Sequence, residues 1–312
     1  MRTRWGPRLT SEVGLRFDGL SHTRDRDISP RILARWDPGR STSVKASLGQ
    51  YVQGQRLYEL DVVDGETAFS QAERGRQLAV GIEHRFAGGL SGRLEAYHRL
   101  VDNARGFFVN VSREINPLLE LDSDRIRLDP TRSRAQGIEV ILSRESGSSL
   151  TWSAMYVLAR SEDELEGVWV PRTLDQPHTL SLRAAFLGGR SWQVSASWQY
   201  HTGWPATDQI VQVVIPEDPT GETAQVIQRG FGSLNRERIP AYHRLDMRVT
   251  KSFGVGRGQL ELFLDVFNVY NRVNLRGFAY DLVPAGRSWI SRRVPGEELL
   301  PRLPTLGFRW VF

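Results

Sequence analysis

One feature limits this chain more than any other: apolar and polar residues alternate with a period of two in segment after segment. Val13, Leu15 and Phe17 alternate with Glu12, Gly14 and Arg16. Leu78, Val80 and Ile82 stand against Gln77, Glu83 and Arg85, and Leu245, Met247 and Val249 interleave with Arg244, Asp246 and Arg248. About twelve such segments recur, separated by breaks rich in Gly, Pro, Asn, Asp and Ser. A helix would repeat every 3.6 residues or so, roughly twice that spacing. The expectation is an all-β, antiparallel chain.

The links between segments narrow the choice. Short ones surround Pro38-Gly39, Ala87-Gly88-Gly89, Glu145 to Ser149, Gly188-Gly189-Arg190 and Gly254 to Gly258. Between them fall links of roughly 25, 30, 17, 38 and 32 residues, so short and long alternate as in a barrel with short periplasmic turns and long extracellular loops. A soluble sandwich has little reason to place its long loops on one side. No run of about 18–20 apolar residues is present to make a membrane helix. The mean hydropathy of −0.38 does not count against membrane strands, because lipid-facing and lumen-facing residues average out.

Two faces follow from the alternation. Trp36, Phe86, Phe186 and Phe253 each end a segment on the short-link side, Phe312 ends the last one, and Trp192 begins a segment at the same level. Rings at one depth read as an interfacial girdle; the plainer alternative is that aromatics favour strands. The other face carries Lys45, Glu83, Arg93, Glu95, Glu139, Arg183, Arg244, Asp246, Arg248, Glu261 and Asp265. Such charges are costly in a dry core and tolerable in a wet lumen. The solvated outer face of a sandwich would also accept them.

Other function classes find weak support. The net charge of +5, from 41 basic and 36 acidic residues, is spread without the basic stripe of a nucleic-acid binder. With no cysteine, disulfides and thiolate metal sites are out of reach. Met1-Arg-Thr-Arg-Trp-Gly-Pro lacks the apolar stretch of a secretory signal. His178, His201 and His243 near Ser181, Ser195 and Ser197 are the enzyme-class alternative, but no nucleophile elbow accompanies them. His84 and His98 fall on the apolar phase. The acidic run from Ser161 to Glu166 lacks EF-hand spacing and reads as a solvated loop. Gly254 to Gly258 reads as a hairpin turn. Trp169, Trp204, Phe231 and Trp289 in the long links serve either ligand contact or loop packing. No catalytic, metal or cofactor site is expected, and no ligand-binding residue is singled out.

The end of the chain, Leu306-Gly-Phe-Arg-Trp-Val-Phe312, resembles the carboxy-terminal assembly signal of outer-membrane barrels. That resemblance implies that Phe308, Trp310 and Phe312 are read by the barrel-assembly machinery. Leu260-Glu-Leu-Phe-Leu-Asp-Val-Phe-Asn-Val-Tyr-Asn-Arg272 and Arg244-Leu-Asp-Met-Arg-Val-Thr-Lys-Ser-Phe253 resemble the closing strands of TonB-dependent receptors. Asp175-Gln-Pro-His-Thr-Leu-Ser-Leu182, Ser133-Arg-Ala-Gln-Gly-Ile-Glu-Val140 and Ser29-Pro-Arg-Ile resemble further barrel segments of that family. The resemblance implies a transmembrane barrel of about 22 strands, filled by an amino-terminal plug through which TonB acts. It also implies uptake of a siderophore, cobalamin or glycan. Residues 1–312 then correspond to the carboxy-terminal portion, without plug or signal peptide, embedded in outer-membrane lipid and not competent in transport alone. A passive pore or adhesion barrel is the alternative, with an outer-membrane hydrolase behind it. Twelve strands shaped for a wider barrel are expected to form a curved, incompletely closed sheet.

Overall fold

A computed structural model describes residues 1–111, 125–144, 149–189, 191–214, 226–285 and 288–312. The alternating segments all become long strands of one antiparallel sheet, connected in chain order. They are β1 (Leu9–Leu20), β2 (Asp25–Trp36), β3 (Thr42–Gln53), β4 (Glu73–Arg85), β5 (Leu90–Asp102) and β6 (Arg132–Arg144). The second half comprises β7 (Leu150–Leu165), β8 (His178–Gly188), β9 (Trp192–His201), β10 (Tyr242–Val255), β11 (Gly258–Phe267) and β12 (Leu303–Val311). Arg2–Arg4 pairs with the start of β1, and Val168–Pro171 folds back on the end of β7, which brings the sheet to fourteen strands. The sheet is open, with Arg2–Arg4 and β12 as its two edges.

Turn chemistry fixes the hairpins. The β10–β11 turn needs only Gly256 and Arg257, and Gly256 sits at φ 58°, where a side chain is strained. The β4–β5 turn uses Gly88 and Gly89 in the same way, at φ 72° and 75°. Short turns gather at one end of the sheet and most long links at the other. The first link departs from the expected alternation: β1 and β2 extend through Leu20 and Asp25, leaving only Ser21–Arg24 between them at the long-loop end. The polar run Asp25-Arg26-Asp27 hides a strand continuation, because Asp27 is buried against Arg74 of β4 at 2.7 Å.

The other long links build small sheets of their own above the strands. Phe107–Val109 pairs with Ile126–Leu128, Pro205–Ala206 pairs with Glu237–Arg238, and Gln209–Val214, Val226–Phe231, Phe278–Ala285 and Ser288–Pro295 form a four-stranded sheet. Among the described residues Ala72, Val101, Ala206 and Ile239 are buried, with Pro205 fully buried beside Ala206, all toward the long-loop end. Among the described residues no packed apolar layer lies along the strands. Leu15, Phe17, Leu48, Leu182 and Phe308 are 40–74% exposed.

Candidate functional site

The wall has two chemically distinct faces, and the register defines them. Ser197 of β9 lies opposite Arg183 of β8 and Asp246 of β10, while Arg248 lies opposite Asp265 of β11. Arg244 bonds Asp246 at 2.8 Å, Arg248 reaches Asp265 at 3.4 Å, Arg309 reaches Glu261 at 3.1 Å, and Lys45 reaches Glu83 at 3.5 Å. Arg244 and Arg248 also stack on Phe267 and Phe263 at 3.8 and 3.9 Å. A hollow of about 560 Å³ lined by Ser153, Arg183, Ser195, Asp246, Arg248 and Asp265 lies on this charged face, which is therefore the concave one.

The opposite face is apolar and bounded by rings. Trp36, Phe86, Phe186, Trp192 and Phe253 lie exposed at the short-turn end, in register with the apolar series. Phe308 and Trp310 share that face through Leu262 and Leu260. Phe312 follows β12 fully exposed. Lys251 sits here too, with Nζ 4.5 Å over Trp192 and donating to Ser191 Oγ at 2.8 Å, a cation whose stem lies on the ring while its head reaches the turn.

The register also measures the strand tilt. One hydrogen-bonded row starts at Trp36, passes through Val44, Ile82, Tyr156 and Tyr200, and ends at His243 of β10, eight strands away. On β10 the exposed ring of Phe253, at the short-turn end like Trp36, lies ten residues below His243. Ten residues are about 33 Å along a strand and eight strands about 38 Å across, which gives a tilt of about 40°. Membrane barrels tilt their strands by about 35–45°.

That tilt exposes a second polar-aromatic level that sequence reasoning missed. Tyr156 hydroxyl and His178 Nδ1 are 2.8 Å apart, His243 Nδ1 and Tyr270 hydroxyl are 2.8 Å apart, and Trp198 Nε1 donates to the Tyr270 hydroxyl at 3.2 Å. These groups lie toward the long-loop end of the apolar face. Only the cross-strand register brings them together on that face. His84 is held by Thr42 at 2.7 Å beside Phe86, and His98 by Gln136 at 3.3 Å.

Beyond this level the molecule becomes an ionic rim. Ser161 to Leu165 are the end of β7, not a loop as the sequence suggested. The chain reverses at Glu166 and Gly167, both with positive φ. Arg132 of β6 grips Glu164 with a two-pronged contact at 2.6 and 2.8 Å, Arg134 takes Glu162 at 2.7 Å, and Arg172 takes the buried Asp163 at 2.9 Å. The Arg132 guanidinium, helped by the Thr131 hydroxyl, holds the Glu164 carboxyl down to about 2. Trp169 lies beneath Arg134 at 4.2 Å and Arg132 at 5.7 Å, so it packs the rim. Trp204 likewise packs against His201, its ring tilted by 44° at 4.7 Å between ring centres. Phe231 and Trp289 are more open, at 46% and 38% exposure.

Two further anchors tie the loops down. Arg238 binds the buried Asp175 at 2.5 Å and also donates to the Asp175 and Gly203 carbonyls. Asn268, fully buried at φ 52°, donates to the Arg272 and Leu300 carbonyls and accepts from the Arg272 amide. The three dyad candidates are engaged elsewhere: His178 and His243 bond tyrosines and His201 bonds the Thr202 carbonyl at 2.8 Å. Ser181, Ser195 and Ser197 lie on the charged face, whereas His178 and His243 lie on the apolar one. Among the described residues no group of three acidic or histidine side chains is arranged to hold a metal ion.

The family model described as TonB dependent receptor-like, beta-barrel matches residues 1–269. Curated proteins give no match. Similar solved structures include the pyoverdine outer membrane receptor FpvA from Pseudomonas aeruginosa bound to pyoverdine, at 16% identity and a TM-score of 0.60 over 100% of this chain and 41% of that one. The outer membrane transporter YddB from Escherichia coli aligns at 12% identity and 0.60, over 97% and 42%. The FrpB iron transporter from Neisseria meningitidis (F3-3 variant) aligns at 16% and 0.59, over 98% and 43%. These likenesses show a shared fold, and the chain spans about two-fifths of the length of the structures it matches.

Proposed function

The chain belongs to the TonB-dependent receptor β-barrel family, and we propose that it forms the carboxy-terminal wall and rim of an outer-membrane receptor taking up a scarce nutrient. Its place is the outer membrane of a Gram-negative cell. The observation that carries the proposal is the pairing of an apolar outward face, ringed at both ends, with a concave charged face. Siderophore, cobalamin and glycan are the substrate classes, and the likeness to the FrpB iron transporter and to the pyoverdine receptor favours the first. Residues 1–312 act as a single barrel portion. An open edge leaves backbone groups unpaired in hydrocarbon, so uptake belongs to the closed barrel with a filled lumen, and TonB acts through that filling. Catalysis has no part in this reading. Phe308, Trp310 and Phe312 serve as the assembly signal, and Trp36, Phe86, Phe186, Trp192 and Phe253 as the periplasmic-side girdle.

The test is insertion. Refolded with phospholipid vesicles, the protein should show blue-shifted tryptophan emission and protease protection of its strands. A monodisperse species in detergent-free buffer, with no shift on adding lipid, would refute the proposal.

A further inference from the structure

The long links of the rim are joined to one another in two unlike ways. The link after β3 and the link after β5 are sealed by three ion pairs: Arg105 holds Glu59 at 2.7 Å, Arg125 holds Asp64 at 2.5 Å, and Arg127 holds Glu66. In each pair one side chain is only 8–15% exposed. Breaking such a pair strands a buried charge, so this joint stays shut. The links after β9 and β11 meet in water instead. Each carries a hairpin arm: Gln209–Val214 with Val226–Phe231 in the first, and Phe278–Ala285 with Ser288–Pro295 in the second.

The arms are firm at their roots and loosely joined beyond them. At the root of the first, Arg238 reaches the buried Asp175, and Asn235 Nδ2 donates to the Pro171 carbonyl at 2.8 Å. At the root of the second, the Asn274 side chain and the His243 backbone exchange two hydrogen bonds, at 3.0 and 3.1 Å, and Asn268 is fully buried. Asn235, Asn268 and Asn271 all turn the chain at positive φ, between 52° and 54°. Among the described residues the arms share one ladder pair, Gln212 with Ile290. One carboxylate closes the rest of the seam. Asp208, beside the first arm, accepts from the Tyr280 hydroxyl at 3.1 Å and pairs with Arg293, both of the second arm. Arg293 also approaches Glu237 at 3.8 Å and lies over Phe278 at 4.6 Å. The Asp208 side chain is 41% exposed and that of Arg293 34%, so water and salt screen the pair.

We infer that Asp208 is a latch between two hinged arms of the rim. Joined, the arms stand as one four-stranded sheet. Released, they part as two hairpins on fixed roots and open a cleft between the β9–β10 and β11–β12 links. Opening costs one ladder pair and one solvated carboxylate site, whereas parting the links after β3 and β5 strands three poorly hydrated ion pairs. The rim therefore has a rigid side and an opening side. Hinge motions of this kind concentrate the change in a few element-terminal residues and leave the hairpins intact.

The experiment uses the full chain inserted in vesicles, spin-labelled in the double variant Phe231→Cys/Pro284→Cys. The chain has no cysteine, so only these two positions take labels. Both are exposed and lie on the two outer strands of the four-stranded sheet, three strand spacings or about 14 Å apart across it. Pulsed electron resonance should resolve a joined population at short distance and a separated one at longer distance. Adding Asp208→Asn or Arg293→Gln should raise the ratio of separated to joined about fivefold, the factor carried by about 1 kcal/mol. Asp281→Asn, which removes an exposed carboxylate paired within the second arm at 3.7 Å, should leave the ratio unchanged. A single distance in every variant, or a ratio indifferent to Asp208 and Arg293, would overturn the latch. The blue shift of the tryptophans on insertion should be the same throughout, so failure of the latch and failure of the lipid-facing reading are told apart.

Discussion

The wall and the rim obey opposite rules. Along the strands, large apolar side chains such as Leu15, Leu182 and Phe308 are exposed and the charges face a hollow. In the rim, Asp163, Glu164 and Asp175 are buried under arginines, while Ala72 and Val101 are among the few buried apolar groups. The difference teaches that burial is not one quantity. The wall is built for two solvents at once, so it needs no dry core and takes its stability from the backbone ladder and the bilayer. The rim stands in water, must order long loops without much apolar area, and does so with ion pairs and buried amides.

If that contrast is right, removing one rim anchor should cost most. Arg238→Gln leaves Asp175 buried without its cation, and the loss should be about 3–5 kcal/mol, seen as early proteolysis between residues 171 and 241. Intact loops in that variant would mean that the rim is held by something else.

A charge on the wall separates its two faces. Leu182→Arg, midway on the outward face of β8, should destabilise the vesicle-inserted protein by about 2–4 kcal/mol. Ser197→Arg, on the charged face of the neighbouring strand, should change it by about 0.5 kcal/mol or less. Equal costs in urea titrations of the two variants would erase the distinction between faces.

Acid should act on the rim alone. Glu164 is held down to about 2 by Arg132 first, and Asp25 and Glu59 also lie below their ordinary values, through Thr23 and the Arg56 amide respectively. A depressed carboxyl stabilises the folded form fully above its ordinary value. That contribution fades as the pH falls below it and is gone below the folded value. Protease protection of the segment 131–172 should therefore decline between about pH 4.5 and 2, while the tryptophan emission of the wall stays constant. A wall signal that moved in step would show that the regions are not independent. The smallest expected effect is Trp169→Leu, which removes the stacking of Arg134 and Arg132 and should cost about 0.5–1 kcal/mol of loop stability, read by the same proteolysis.

Much of the wall was legible because alternation is written into neighbouring residues. Val13-Gly-Leu-Arg-Phe17 announces its two faces whatever pairs with it, and so do the closing aromatics Phe308 and Trp310. The rim was not legible for the same reason. Ser161-Glu-Asp-Glu-Leu165 looks like solvated loop until Arg132, Arg134 and Arg172 arrive to neutralise it. Asp25-Arg26-Asp27 hides a strand until Arg74 is placed beside it. The paired aromatic-Asn steps were visible as a family likeness, but their cause, Asn268 and Asn271 turning the chain at positive φ, was not.

By itself the sequence determined the strands, the phase of each one and the side on which the short turns gather, since these depend on spacing along a single stretch of chain. Only the tertiary structure decided the tilt of about 40°, the tyrosine–histidine pairs toward the long-loop end of the apolar face, and which carboxylate each arginine holds. Those are relations between residues tens of positions apart, set by a register of hydrogen bonds that no local pattern encodes.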